Sequence, residues 1–134
     1  MLRRQTSASN PADWFAFAAD RLKASDLIWR TEGLTHSGVE CLQESLERYL
    51  KGFLIAKGWK LVKTHDLTHL LSESRKFDAF FDRYVELAEQ LTEQFFLQHY
   101  PGLDTTGVGK NYEEMREQTG DIVEHLKRNF PQYF

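Results

Sequence analysis

A chain of 134 residues, 41% hydrophobic and 28% charged, is long enough for one domain with its own core and too apolar to be disordered. Its formal net charge of −3 argues against a nucleic-acid binder that is basic over its whole surface and leaves only a local basic patch for such a partner. The single cysteine, Cys41, excludes an internal disulfide. No apolar run approaches the ~18 residues of a membrane span, and the start of the chain has Arg3 and Arg4 but no apolar stretch behind them. A cytoplasmic location, away from any membrane, is the expectation.

Residues 1–10 are polar and are expected as a flexible lead-in to one domain over residues 11–134. Asn10 followed by Pro11 is a helix start, a capping side chain and then a ring that holds φ near its helical value. The first helix is predicted from Pro11 to about Glu32, burying Trp14, Ala18, Leu22, Ser25, Ile28 and Trp29 and ending at Gly33. Ser37 and Glu40 have the spacing of a capping box and open the second helix. Val39, Leu42, Leu46, Tyr49, Leu50, Phe53 and Leu54 form its apolar face, and Gly58 is placed to take a positive φ at its end. Thr64 is the cap candidate for a short third helix, about His65 to Glu73, with Leu67, Leu70 and Leu71 inward.

The fourth helix is predicted from Phe77, with Phe80, Phe81, Tyr84, Leu87, Ala88, Leu91 and Phe95 on one side, until Pro101 and Gly102 stop it. Residues 101–109 read as a loop, and a last helix from about Lys110 to Asn129 presents Tyr112, Met115, Thr119, Ile122, Val123, Leu126 and Phe130. Gly120 within it costs about 1 kcal/mol relative to Ala, for which a close helix crossing is the expected reason. No stretch alternates with period two for long enough to be a strand. The fold class is therefore all-α, an antiparallel up-and-down bundle of four long helices and one short one.

Three short runs carry a family resemblance. Glu47, Arg48, Leu50 and Lys51, preceded by Gln43, resemble the core motif of the HEPN domain (higher eukaryote and prokaryote nucleotide-binding). Thr64, His65, Asp66 and Leu67 resemble the Thr-His-Asp-Leu run that follows it. His99, Tyr100 and Pro101 are similar to the family's Arg-Tyr-Pro at the end of a later helix, with His in place of Arg. Glu44 and Ser45 also depart from the Gln and Ala of many members. The resemblance covers roughly residues 12–130. It implies a HEPN-like helical bundle acting as a nucleotide- or RNA-associated binding module. It also implies a homodimer and a minimal nucleotidyltransferase partner in a toxin–antitoxin-type pair. The alternatives are a metal-independent endoribonuclease toxin and a structural protein–protein adaptor.

His65 and His69, four apart, invite a zinc reading, but Asp66 is one methylene shorter than the Glu that a metalloprotease helix needs, and no third ligand is placed. His65 is instead expected to bond to a neighbouring helix; no metal or cofactor is expected. Ribonuclease chemistry needs a histidine to move a proton and a cation to face the developing phosphorane. The family's ribonucleases are recognised by a late Arg, four to six residues and a His. Arg30 and His36 have five residues between them but lie early, across Gly33, while Arg116 and His125 have eight, a rise of roughly 13.5 Å on a helix. Neither pair meets the pattern, and the catalytic candidates that remain are His99, His36 and Arg30.

Phosphate binding has its own candidates. Arg48, Lys51, Lys57, Lys60 and Lys63 put five cations into sixteen residues without an acid, and Trp59 within the run offers a stacking surface for a base. A solvated basic face fits the same pattern. Residues 105–110 offer amides at a helix N-terminus. They fall short of a P-loop, because Asp104 stands where the first Gly belongs, Asn111 replaces Ser or Thr, and no strand precedes. The candidate set is Arg48, Lys51, Lys60, Lys63, His65 and Lys110. Cys41, inside the second helix, reads as a partly buried thiol rather than a nucleophile. Phe96, Tyr100, Phe130, Tyr133 and Phe134 exceed what a small bundle buries, and mark an association surface.

Overall fold

The computed structural model describes residues 4–103, 107 and 109–134. Five α-helices follow in order: α1 Pro11–Glu32, α2 His36–Ala56, α3 Leu67–Arg75, α4 Val85–His99 and α5 Tyr112–Asn129. A 3-10 segment, Ala79–Tyr84, leads into α4 and a short one, Pro131–Tyr133, ends the chain. No strand occurs among the described residues. The all-α bundle of four long helices and a short one is as the periodicities required.

Helix α2 runs through the middle of the bundle, with Leu42, Leu46, Leu50 and Leu54 fully buried. Its neighbour α1 lies antiparallel to it. At one end Ser25 Oγ donates to the Gly38 carbonyl at 2.8 Å, and in the middle Ser45 Oγ donates to the Ala18 carbonyl at 2.8 Å. At the other end, Phe15 is so close to Gly52 that a Cβ there would lie 2.6 Å from the ring. The small residues at these points, Ser25 with Gly38, Ala18 with Ser45, and Gly52 under the Phe15 ring, let the two backbones approach. Helix α5 closes the bundle on the same core, its Ile122, Val123 and Leu126 buried. Tyr112 stacks on Trp29 at 4.6 Å, and Phe130 meets Phe53 edge-on at 5.8 Å.

Several boundaries differ from expectation. The cap of α2 is Thr35, whose hydroxyl accepts from the Gly38 amide at 3.0 Å, so the helix begins before Ser37 and no Ser37–Glu40 box forms. Asp66, not Thr64, caps α3, accepting from the Thr68 amide at 3.0 Å, which leaves His65 outside the helix. The predicted fourth helix splits: Asp78 accepts from the Phe80 amide at 2.9 Å and opens the 3-10 segment, and α4 begins only at Val85. Phe81, Tyr84 and Leu87, three apart, are the buried residues there, and that spacing is the eclipsed period of a 3-10 turn. Phe77 is exposed and Phe95 only half-buried, while Gln94 takes the inward position. Its Oε1 accepts from the Gly109 amide at 2.8 Å, tying the loop to α4. Gly109 has φ 77°, and a Cβ there would meet Leu34 at 2.4 Å. In α1 the deep core residue is Phe15, with Trp14 half-buried. Gly120 has no close helix crossing: a Cβ there would meet only Arg116 Nη1 of its own helix, at 3.0 Å.

Three aspartates hold the element ends and have carboxyls below the ordinary range. Asp13 takes the Arg4 guanidinium and the Ser7 amide, which fastens residues 4–7 to α1; residues 1–3 lie outside the described residues. Asp66 is lowered by the Thr68 hydroxyl first, then by the His69 and Thr68 amides, against burial. At Asp78 burial pushes upward, but the Phe80 amide, His125 at 2.7 Å and Lys57 outweigh it. A depressed carboxyl contributes stability above its unfolded pKa and loses it as pH falls through the folded one. The loss therefore begins near about pH 4 and deepens below. Asp66→Asn keeps a capping oxygen without the charge. Its urea midpoint at neutral pH is expected to change little, and its fall between about pH 5 and pH 3 to be shallower than in the parent.

Candidate functional site

Gln43, Glu47 and Lys51 stand at successive i, i+4 positions of α2 and so share one stripe of it. All three are buried. Glu47 is the hub: Lys51 Nζ lies 2.9 Å from its Oε2, and His65 Nδ1 lies 2.8 Å from its Oε1. Gln43 Nε2 reaches both Glu47 Oε1 and the His65 carbonyl at 3.4 Å, clasping the segment that carries His65 onto α2. Gln43 Oε1 is buried without a partner among the described residues. The Lys51 ammonium also sits 5.7 Å over the Trp14 ring. A buried cation and a buried carboxylate are thus matched one to one, which keeps either from standing alone in a poorly solvated place.

Residues 57–66 link α2 to α3 as a segment without helix or strand, which turns at Lys57 and Gly58 and then runs extended to set His65 against this stripe. Lys57, Lys60 and Lys63 are exposed. From Lys60 to Thr64 no backbone amide donates to a partner among the described residues. Lys57 lies over the Phe53 and Phe130 rings at 5.9 and 5.5 Å. Trp59 is half-buried against the core. The His65 side chain is 67% exposed. With Nδ1–H donated to Glu47, its Nε2 is turned toward solvent. Its ring stacks on Phe95 at 5.4 Å, and Phe95 stacks on His99 at 4.1 Å. His99 donates Nδ1–H to the Phe95 carbonyl at 2.8 Å and directs Nε2 toward Glu40 Oε1 at 3.4 Å.

The structure therefore brings Lys51, Lys60, Lys63, His65 and His99 to one side of the bundle, but in different environments. Lys51 is committed to Glu47, whereas Lys60 and Lys63 have no acidic partner among the described residues. Arg48 is half-buried and faces Glu44 at 3.4 Å. Lys110 lies at the start of α5, lining shallow cavities with Gln94 and Leu97 and with Trp29 and Leu34 rather than with the extended segment. His36 and His99 line a common cavity of about 270 Å³ with Tyr100 and Leu103. Arg30 is on the other side, in a groove between α1 and α5. Arg116 and His125 go separate ways, the first to Asp26 at 2.6 Å and the second to Asp78 at 2.7 Å. Thr105, Thr106 and Val108 of the proposed amide loop lie outside the described residues. Burial pushes the half-buried Cys41 thiol up, against the pull of Arg21, which makes it a poor nucleophile at neutral pH.

Sequence reading placed Gln43, Glu47 and Lys51 in one motif and missed that they form one polar row with His65. The i, i+4, i+8 spacing of Gln, Glu and Lys was the available signal. Phe95 and Glu40, which orient the two histidines, had no signal beyond helix periodicity.

No helix among the described residues is long and apolar enough to cross a membrane. Compared with curated proteins and with solved structures, the chain has no match. The family model described as the HEPN domain matches residues 12–129, from the first turn of α1 to the last residue of α5. The match covers most of the chain, and it includes the polar row on α2 and the Thr-His-Asp-Leu run that docks on it: the chain belongs to the HEPN domain family, helical modules associated with nucleotides and RNA.

Proposed function

We propose that the protein is an RNA-associated binding module that lays a single strand along residues 57–66. It works as a homodimer beside a minimal nucleotidyltransferase in a toxin–antitoxin-type pair. The observation that carries the binding reading is the extended segment itself. Lys57, Lys60 and Lys63 are exposed, and among the described residues Lys60 and Lys63 have no acidic partner and the amides of residues 60–64 donate to none. A strand's phosphates meet charge and N–H donors there, and the Gln43–Glu47 clasp holds the segment in place beforehand, which lowers the ordering cost of binding. The stacked, exposed pair Phe96 and Tyr100, 5.7 Å apart, together with Leu103, supports a self-association surface. Family membership is what supports the nucleotidyltransferase partner.

A second reading, metal-independent RNA cleavage, is favoured by one arrangement. His65, oriented by buried Glu47, and His99, oriented by Glu40 and the Phe95 carbonyl, both stack on Phe95. One imidazole would take the 2′-hydroxyl proton as that oxygen attacks phosphorus, and an imidazolium would protonate the departing 5′-oxygen.

One experiment separates the two. A fluorescent single-stranded RNA is titrated at several salt concentrations, and the same samples are run on a denaturing gel. The binding reading expects retention of intact RNA. It expects Lys60→Glu with Lys63→Glu to weaken retention by roughly tenfold or more, and to flatten the slope of log K against log salt by about 1.4. RNA retention indifferent to that pair would sink it. Cleavage lost in both His65→Ala and His99→Ala would instead establish the second reading.

A further inference from the structure

Residues 60–64 offer the open backbone of a sheet edge. Among the described residues their amides donate to no group, and the carbonyls of residues 59–64 accept from none. Both ends of the stretch are fastened. The Trp59 amide donates to the Leu54 carbonyl at 2.9 Å, Gly58 turns the chain with φ 85°, and Trp59 packs half-buried against the core. At the far end Gln43 Nε2 donates to the His65 carbonyl at 3.4 Å, and His65 Nδ1 lies 2.8 Å from Glu47. Asp66 turns away to cap α3. Held in this way, the backbone has already lost much of the freedom that pairing with a second strand would cost.

The side chains add to the backbone. Trp59 and Leu61 are half-buried while Lys60 and Val62 are exposed, the alternation of an extended chain with one face on the bundle. Val62 is 45% exposed, an apolar β-branched residue of the kind that strands favour. Lys60 and Lys63 have no acidic partner among the described residues. A row of phosphates satisfies the lysines and amides, but it has no donors for the carbonyls and nothing apolar for Val62. Another polypeptide backbone satisfies all of them. A second copy of this segment is a poor candidate. Antiparallel pairing centred between Leu61 and Val62 sets Lys60 opposite Lys63, and like charges directly opposite destabilise a ladder. Lysines on an open edge guard against such self-pairing. An acidic strand in the same register instead meets each lysine with a carboxylate.

We propose that residues 60–64 are a docking edge for an extended acidic segment of a different polypeptide, with Glu or Asp three apart around apolar β-branched residues. The segment adds as a strand. Its amides and carbonyls pair with those of residues 60–64, its acids face Lys60 and Lys63, and its apolar residues lie beside Val62. The same stretch is the one proposed for RNA, so the acidic strand and the RNA exclude each other. That exclusion rests on the RNA reading; the docking does not.

The test uses the intact protein and a short blocked peptide in which two glutamates flank two valines, read by calorimetry and by amide exchange. Binding at roughly 100 µM or tighter is expected. Every second amide within residues 60–64 should become protected, because alternate residues of a strand bond to the same edge. Two further copies of the peptide are methylated on alternate backbone nitrogens, one on each set. One copy should bind like the parent and the other be weakened by roughly tenfold or more, since only one set of N–H groups faces the protein. Lys60→Glu with Lys63→Glu, both surface changes, should reject the acidic peptide and accept a copy with lysines for its glutamates. Equal effects of the two methylations, or protection without alternation, would overturn the proposal, because charge attraction alone gives those results. Absence of binding at millimolar concentration would overturn it too. Displacement of single-stranded RNA by the peptide bears out the exclusion. An RNA that never binds removes the RNA reading and leaves the docking standing.

Discussion

Glu47→Ala is expected to destabilise the protein by about 3–5 kcal/mol, because it leaves a cation buried with nothing against it. Lys51 is only 7% exposed as a side chain, and its one carboxylate partner is Glu47 at 2.9 Å. The Trp14 ring 5.7 Å away is a far weaker partner than a carboxylate. The same change removes the acceptor for His65 Nδ1 and one of the two acceptors for Gln43 Nε2, loosening the segment's hold on α2. Urea unfolding at neutral pH measures the loss. Glu47→Leu combined with Lys51→Met, which removes both charges at similar volume, should recover most of it. If Glu47→Ala costs under about 1 kcal/mol, the hub is a bystander. The linker would then be held by other means.

Gly52→Ala is the second large effect, and its sign is opposite to propensity. In an open helix the change would gain about 1 kcal/mol. Here the new Cβ would stand 2.6 Å and 2.8 Å from two carbons of the Phe15 ring and 3.0 Å from Trp14 Cβ. Phe15 has little room to retreat, being stacked at 4.7 Å on Phe134 and set 6.1 Å from the Tyr49 ring. The clash is with a planar ring and a Cβ, not with the tip of a flexible chain, so α1 must shift along its contact with α2. A net loss of about 2 kcal/mol is expected, in the range of overpacked cores. Thermal unfolding of Gly52→Ala alone and in a Phe15→Leu background tests the cause. The penalty should shrink in the second, where the two colliding ring carbons are gone. An equal penalty in both backgrounds would place the strain elsewhere.

Much of the site was visible in the chain, in pieces. Gln43, Glu47 and Lys51 as members of one motif, the Thr-His-Asp-Leu run and the lysines of residues 57–66 were all read before any fold. What could not be read was which of those cations is available. Lys51 looked equivalent to Lys60 because both lie in a stretch without an acid, but the helix repeat sets Lys51 one turn beyond Glu47. The cation becomes internal there, whereas Lys60 lies past the end of α2 and meets only water. The Arg116–Asp26 pair joins residues 90 apart in sequence and had no local signal at all. Gly120 was legible as an anomaly, but the close helix crossing expected for it does not exist.

The amino-acid sequence by itself determined the helical class, the helix count, and the apolar faces of α2, α3 and α5. Those follow from a period of three to four residues and from caps and breakers that act within a few positions. Tertiary structure alone decided where α2 and α3 begin, which lysine is buried, which histidines share an aromatic ring, and that a groove opens between α1 and α5. Each of these depends on groups distant in the chain arriving within a few ångströms, and burial or pairing then outweighs any local preference.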